Sequence, residues 1–159
     1  PPHGSARATH ASAPTPTQTA CLRRPRVMTR GTVAARTNDG PIKANAIEAA
    51  EQCGILRVPV VAAPEKLSKL LDQWDESRLL IFADEAAPTA SPLEALSAQK
   101  ARPLAVLIGP EGGFDAEERN MLMRQPYVLP ISLGPRVMRA DTASVACLAL
   151  VNALLGDWR

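Results

Sequence analysis

The run Leu104-Ala105-Val106-Leu107-Ile108 is apolar at every position and breaks at once into Gly109-Pro110-Glu111-Gly112-Gly113-Phe114. A short continuous apolar run ended by a glycine turn is the pattern of a parallel strand covered on both faces. Asp115, with Glu118 three residues on, then supplies a capping-box start for a helix through Arg124. A second unit of the same kind follows. Residues 127–133 read as extended, Ser132-Leu133-Gly134-Pro135-Arg136-Val137-Met138-Arg139 makes the turn, and residues 141–155 form a helix stopped by Gly156. Two such units in succession restrict the chain to an α/β domain with a mainly parallel sheet flanked by helices.

The preceding residues extend that reading. Ile42, Ala46, Ala49, Ala50 and Cys53 recur at helical spacing before Gly54, which predicts a first helix with an inward apolar face. Residues 58–61 read as extended, Leu67, Leu70, Leu71 and Trp74 mark a second helix after Pro64, residues 78–83 a strand, and residues 92–99 a short helix. The last helix is apolar almost all round, through Val145, Ala146, Leu148, Ala149, Leu150, Val151, Leu154 and Leu155. Such a helix is buried on more than one side, either within the domain or in a dimer interface.

Composition removes several kinds of function. With 159 residues the chain has material for one core of ordinary size. Aromatic residues make up only 3%, so no aromatic-interleaved basic surface is available for stacking bases. Residues 1–38 hold six arginines and no acid, which leaves twelve basic and sixteen acidic groups for residues 39–159. That part is about four charges negative. Residues 1–26, rich in Pro, Ala, Ser and Thr at their start, read as a disordered or atypical tail, and residues 27–159 as the domain. The tail has neither an initiating Met nor a clear amphipathic face, which speaks against a targeting segment. Both histidines, His3 and His10, fall in it, so histidine catalysis and histidine metal sites are not expected in the domain. Cys21, Cys53 and Cys147 lack metal-ligand spacing. Cys53 and Cys147 fall in helical patterns where a reduced thiol packs as a small hydrophobe. No apolar run reaches the roughly 18 residues of a membrane span. A soluble, cytoplasmic protein without metal is expected.

The chemistry concentrates in the two glycine turns. The first, Gly109-Pro110-Glu111-Gly112-Gly113-Phe114, fits neither the dinucleotide fingerprint nor a P-loop. In open α/β sheets the crevice beyond the strand ends holds ligands, and glycine turns there let backbone approach a ligand closely. Glu111, between a proline and two glycines, offers a carboxylate to that crevice. Arg136 and Arg139 bring two guanidinium groups, close to Asp141, with the fork geometry that suits phosphate or carboxylate. The plainer reading of both segments is a tight turn before a helix cap and an exposed Arg–Asp pair of little energy.

Three motifs in order, Glu48-Ala49-Ala50-Glu51-Gln52-Cys53-Gly54, Gly109-Pro110-Glu111-Gly112-Gly113-Phe114 and residues 132–143, resemble the methyltransferase domain of the 16S ribosomal RNA uracil-N3 methyltransferases, a family of the SPOUT class. The resemblance covers residues 38–159, and more weakly 27–37. It implies a C-terminal trefoil knot, a homodimer, and S-adenosylmethionine as cofactor. By motif, Leu107, Ile108, Gly109 and Gly112 would border the cofactor from one loop, and Ile131, Leu133, Gly134, Met138 and Arg139 from the other. The implied substrate is 16S rRNA in the small ribosomal subunit, with Arg136 assigned to the RNA. Arg139 or Arg136 would stabilise the uracil anion, while Glu111 or Asp141 would help remove the N3 proton. Family members also carry an RNA-binding barrel and a first strand and helix, which residues 1–26 do not match. The first strand and helix of the domain are therefore expected to be incomplete, and rRNA methylation by this chain alone weak or absent. A non-catalytic remnant that dimerises and binds at most the cofactor is the alternative reading.

Overall fold

The computed structural model describes residues 23–24, 27–28, 39–54, 58–88, 91–156 and 158. Its centre is a three-stranded parallel sheet in the order β6-β5-β7, made of β5 (Leu79–Ala83), β6 (Leu104–Ile108) and β7 (Val128–Ile131). Two further parallel pairs precede it. β1 (Arg23–Arg24) pairs with β3 (Val60–Val61), and β2 (Val27–Met28) pairs with β4 (Glu65–Lys66). Arg23–Arg24 thus form a strand inside the segment read as a tail; residues 1–22 and 25–26 lie outside the described residues.

Side chains of β5 alternate between two cores, as a central strand must. Leu80 and Phe82 join Leu67 and Leu71 of α2 (Leu67–Asp72), Leu107, Leu122 of α4 (Ala116–Met123) and Tyr127 on one face. There the rings of Trp74 and Tyr127 stack at 5.9 Å, and the Tyr127 hydroxyl donates to the Leu71 carbonyl at 3.3 Å. Leu79 and Ile81 face the other way, onto Leu96 of α3 (Pro92–Ser97), Ile131, and Cys147 and Val151 of α5 (Ala140–Leu154). The strand and helix positions read from the sequence stand here within a few residues.

One expectation is corrected. Helix α1 (Asp39–Gln52) ends at Gly54 as expected, but its predicted inward face is not buried. Ile42, Ala49 and Cys53 are exposed, Ala46 is half-buried, and only Ala50 is covered. The reason is that α1 packs on β3, a strand of two residues, and not on the three-stranded sheet. The sheet order also separates the two glycine turns: β6 and β7 lie on opposite sides of β5, so a third turn, after Ala83, stands between them.

The connections to the lower face have an unusual course. Helix α3, which links β5 to β6, packs on β7, whereas α5, which follows β7, packs on β6 and α3. The chain leaving β5 and the chain leaving β7 therefore run in opposite directions across the same sheet edge. Connections that cross on one edge are rare in protein folds.

Candidate functional site at the carboxyl edge of the sheet

Pairing places Ile108, Ala83 and Ile131 in one row, so β6, β5 and β7 end flush. Three turns rise from this row. In a parallel sheet the carboxyl edge, where the strand order reverses, is the place for a ligand. Leu107 and Ile108 close β6 and Ile131 closes β7. Leu107 and Ile131 are buried, and Ile108 is half-buried.

The turn after β6 is shaped by packing. Gly113 N–H donates to the Pro110 carbonyl at 2.9 Å, and Gly113 has φ +68°, a conformation that glycine adopts without strain. Phe114 meets Phe82 edge to face at 5.2 Å and lies so close to Gly109 that a Cβ there would stand 3.0 Å from its ring. Asp115 and Glu118 then form the capping box: the Asp115 carboxylate accepts from Glu118 N–H at 2.8 Å, and Glu118 accepts from Asp115 N–H at 3.1 Å. Glu111 and Gly112 stand exposed at the tip.

The turn after β7 is more open. Gly134 has φ +112°, its N–H bonds to Ser132 Oγ at 3.3 Å, and a Cβ there would meet nothing within 4 Å. Leu133 is half-buried, while Arg136, Val137, Met138 and Arg139 are exposed. Arg139 is the N-cap residue of α5 without a side-chain cap, and its Nε lies 3.8 Å from Asp141 Oδ1. Asp141 also accepts from Thr142 N–H at 2.7 Å. That bond, with the nearby Arg139 charge, holds the exposed carboxyl below the ordinary carboxylate range.

The turn after β5 escapes a reading based on glycine motifs. Asp84, 6% exposed, takes two contacts from Arg119 of α4, Nε at 3.0 Å and the terminal nitrogen at 2.9 Å, and accepts from Ala86 N–H at 3.1 Å. Arg119 also donates to the Ala86 carbonyl at 3.2 Å, and Asp84 N–H bonds to the Ile131 carbonyl at 3.0 Å. The ion pair therefore pins this turn to α4, and the backbone bond of Asp84 pins it to β7. The available signal was an acidic pair, Asp84-Glu85, directly after the apolar run of β5.

Where the crossing connections meet there is an open cavity of about 300 Å³ lined by Glu85, Gly134, Pro135, Arg136 and Val137. Of the residues expected from sequence, Gly134 and Arg136 line it. Leu107, Ile108, Gly109, Glu111, Gly112, Ile131, Leu133, Met138, Arg139 and Asp141 do not, although the same edge carries them. Its walls combine a bare glycine backbone, the apolar Pro135 and Val137, a carboxylate and a guanidinium.

The comparisons with known proteins bear on this part of the chain. The RNA methyltransferase domain family matches residues 27–152. The ribosomal RNA small subunit methyltransferases E of Buchnera aphidicola subsp. Schizaphis graminum and of Rickettsia conorii are 29% identical over 112 residues and 30% identical over 110. These alignments cover 70% and 68% of this chain and 44% of each relative, so the chain spans less than half the length of those proteins. A Legionella pneumophila protein described as a methyltransferase and solved with bound S-adenosylmethionine is 30% identical. It has a TM-score of 0.59 over 80% of this chain and 53% of that one. The ribosomal RNA small subunit methyltransferase E of Neisseria gonorrhoeae, solved with the same cofactor, shares the fold with a TM-score of 0.61 at 23% identity. That match covers 84% of this chain and 55% of the other.

Proposed function

This chain belongs to the RNA methyltransferase domain family, and from that premise we propose that it is the methyl-transferring part of an S-adenosylmethionine-dependent enzyme acting on N3 of a uridine in 16S rRNA. The observation that carries the reading is the carboxyl edge itself, where the turns after β5 and β7 line an open cavity with Glu85, Gly134, Pro135, Arg136 and Val137 on an otherwise ordinary parallel sheet. The crossing of the connections is also what a C-terminal trefoil knot requires, and we read the segment 132–155 as its threaded part.

The residues present fit such a cofactor. Gly134 leaves main chain bare beside the cavity, Pro135 and Val137 give it an apolar side, and Glu85 and Arg136 offer charged partners to its polar ends. When bound, the cofactor supplies a methyl group on a sulfonium, which leaves as a neutral thioether. The chain must align the acceptor nitrogen, stabilise its anion and accept its proton. Arg139 stands exposed at the edge and suits the anion. Of the two carboxylates, Asp141 is already engaged by Thr142 N–H and lies beside Arg139, whereas Glu111 stands exposed at the tip of its turn, so the proton is assigned to Glu111. The exposed apolar side chains Val145 and Leu148 on α5 support a homodimer built through that helix. Work on ribosomal subunits would place the chain in the cytoplasm; separately, among the described residues no helix is long and apolar enough to cross a membrane.

A second reading, a non-catalytic domain that binds the cofactor and dimerises, is favoured by the acidic balance of residues 39–159, which attracts RNA poorly. Calorimetric titration with S-adenosylmethionine, followed by methylation of isolated small subunits, separates the two. Binding with methyl transfer is expected for the enzyme, and binding without transfer for the second reading; no binding overturns the cofactor assignment. In a transfer assay Arg139→Ala should lose about 100-fold in turnover with cofactor binding intact. Full turnover would remove Arg139 from the chemistry.

A further inference from the structure

Adjacent acids on the turn after β5 have opposite environments. Asp84 is buried and fully engaged by Arg119 and Ala86 N–H, whereas Glu85 is exposed, lines the cavity, and has no hydrogen bond or ion pair among the described residues. Arg136 lines the same cavity from the turn after β7 and, among the described residues, is likewise unpaired. A carboxylate and a guanidinium on the walls of one cleft, not bridged to each other, complement a zwitterion whose ammonium and carboxylate lie close together. The aminoacyl end of S-adenosylmethionine is such a group. A guanidinium fork takes a carboxylate with two parallel hydrogen bonds, and a carboxylate takes an ammonium as a charge-assisted acceptor.

Resting on the cofactor reading above, we propose that Glu85 and Arg136 bind the aminoacyl end of the cofactor, Glu85 its α-ammonium and Arg136 its α-carboxylate, and that the Asp84–Arg119 pair is a positioning device that fixes Glu85 on the cavity wall. The assignment takes Arg136 away from RNA. It also gives the Asp84–Arg119 pair a role besides tying β5 to α4: the turn it pins has Glu85 as its next residue.

The test is calorimetric binding of two ligands, S-adenosylmethionine and 5′-methylthioadenosine, which lacks the aminoacyl end. Glu85→Gln and Arg136→Met should each weaken S-adenosylmethionine roughly 10-fold or more, as expected for losing a hydrogen bond to a charged group, and leave 5′-methylthioadenosine unchanged. Equal loss for both ligands, or no loss for either, overturns the assignment. Arg119→Lys keeps the charge and removes the fork. It should weaken S-adenosylmethionine in the otherwise native chain but add nothing in the Glu85→Gln background, with circular dichroism confirming that both fold. Additive losses overturn the positioning role. Failure of the unmodified chain to bind S-adenosylmethionine at all overturns the underlying cofactor reading and this one with it, whereas native binding with an unaffected Glu85→Gln overturns this one alone.

Discussion

The thiol of Cys147 is fully covered between the sheet and α3, and burial pushes its pKa from an ordinary 9.0 to about 11. Tyr127 is raised too, first by burial and then by the negative charges of Glu76 and Asp72. Both groups are neutral in the fold, and both would ionise more easily in the unfolded chain. The stability this linkage contributes is therefore complete below their ordinary pKa values and falls as pH rises through the folded ones. The melting temperature should decline between pH 9 and about 11, and Cys147→Ala should flatten part of that decline. Labelling follows the same logic, because the thiolate is the reactive form. Iodoacetamide at pH 8 should modify exposed Cys53 and spare Cys147, read by peptide mass mapping; equal labelling would contradict the burial. The sequence put both cysteines on helical patterns. Only Cys147 packs inside, because helical spacing shows which residues share a face and not whether anything large enough lies against it.

Among the elements, α4 was the most legible. Asp115 and Glu118 satisfy each other's backbone donors by local geometry alone, so their spacing was sufficient. Asp115→Ala should cost about 1 kcal/mol in urea unfolding with an unchanged slope. A cost near zero would mean that the box contributes nothing. The strands β5, β6 and β7 were legible for a similar reason: each is a short apolar run with a sharp end. Helix α5 was legible as a helix but ambiguous as a packing unit. Its buried stripe is Ala143, Cys147 and Val151, and Val145, 71% exposed, lies off that stripe with Leu148. An all-round apolar pattern cannot say which side the domain itself covers.

At the scale of the whole molecule, the exposed side of α5 carries a prediction about assembly. Sedimentation should show a dimer for the native chain and a monomer for Val145→Asp, with an unchanged circular dichroism spectrum; a native monomer would contradict the proposed interface. Strand order and crossing were not legible. Both depend on which strand a helix returns to, and nothing in the residues of α3 or α5 encodes the destination locally. The Asp84–Arg119 pair is not legible for the same reason, its members standing 35 positions apart until the fold joins them. The cavity where the two connections meet has a mechanical consequence. A molecule seated there touches the chain on its way out of β5 and on its way out of β7, and so acts as a rivet between the middle of the domain and its last helix. By mass action, a ligand held at 100 times its dissociation constant would add about 2.7 kcal/mol against unravelling. Occupancy and heat resistance would rise together, and a thermal shift could report on the site without any methyl group being transferred.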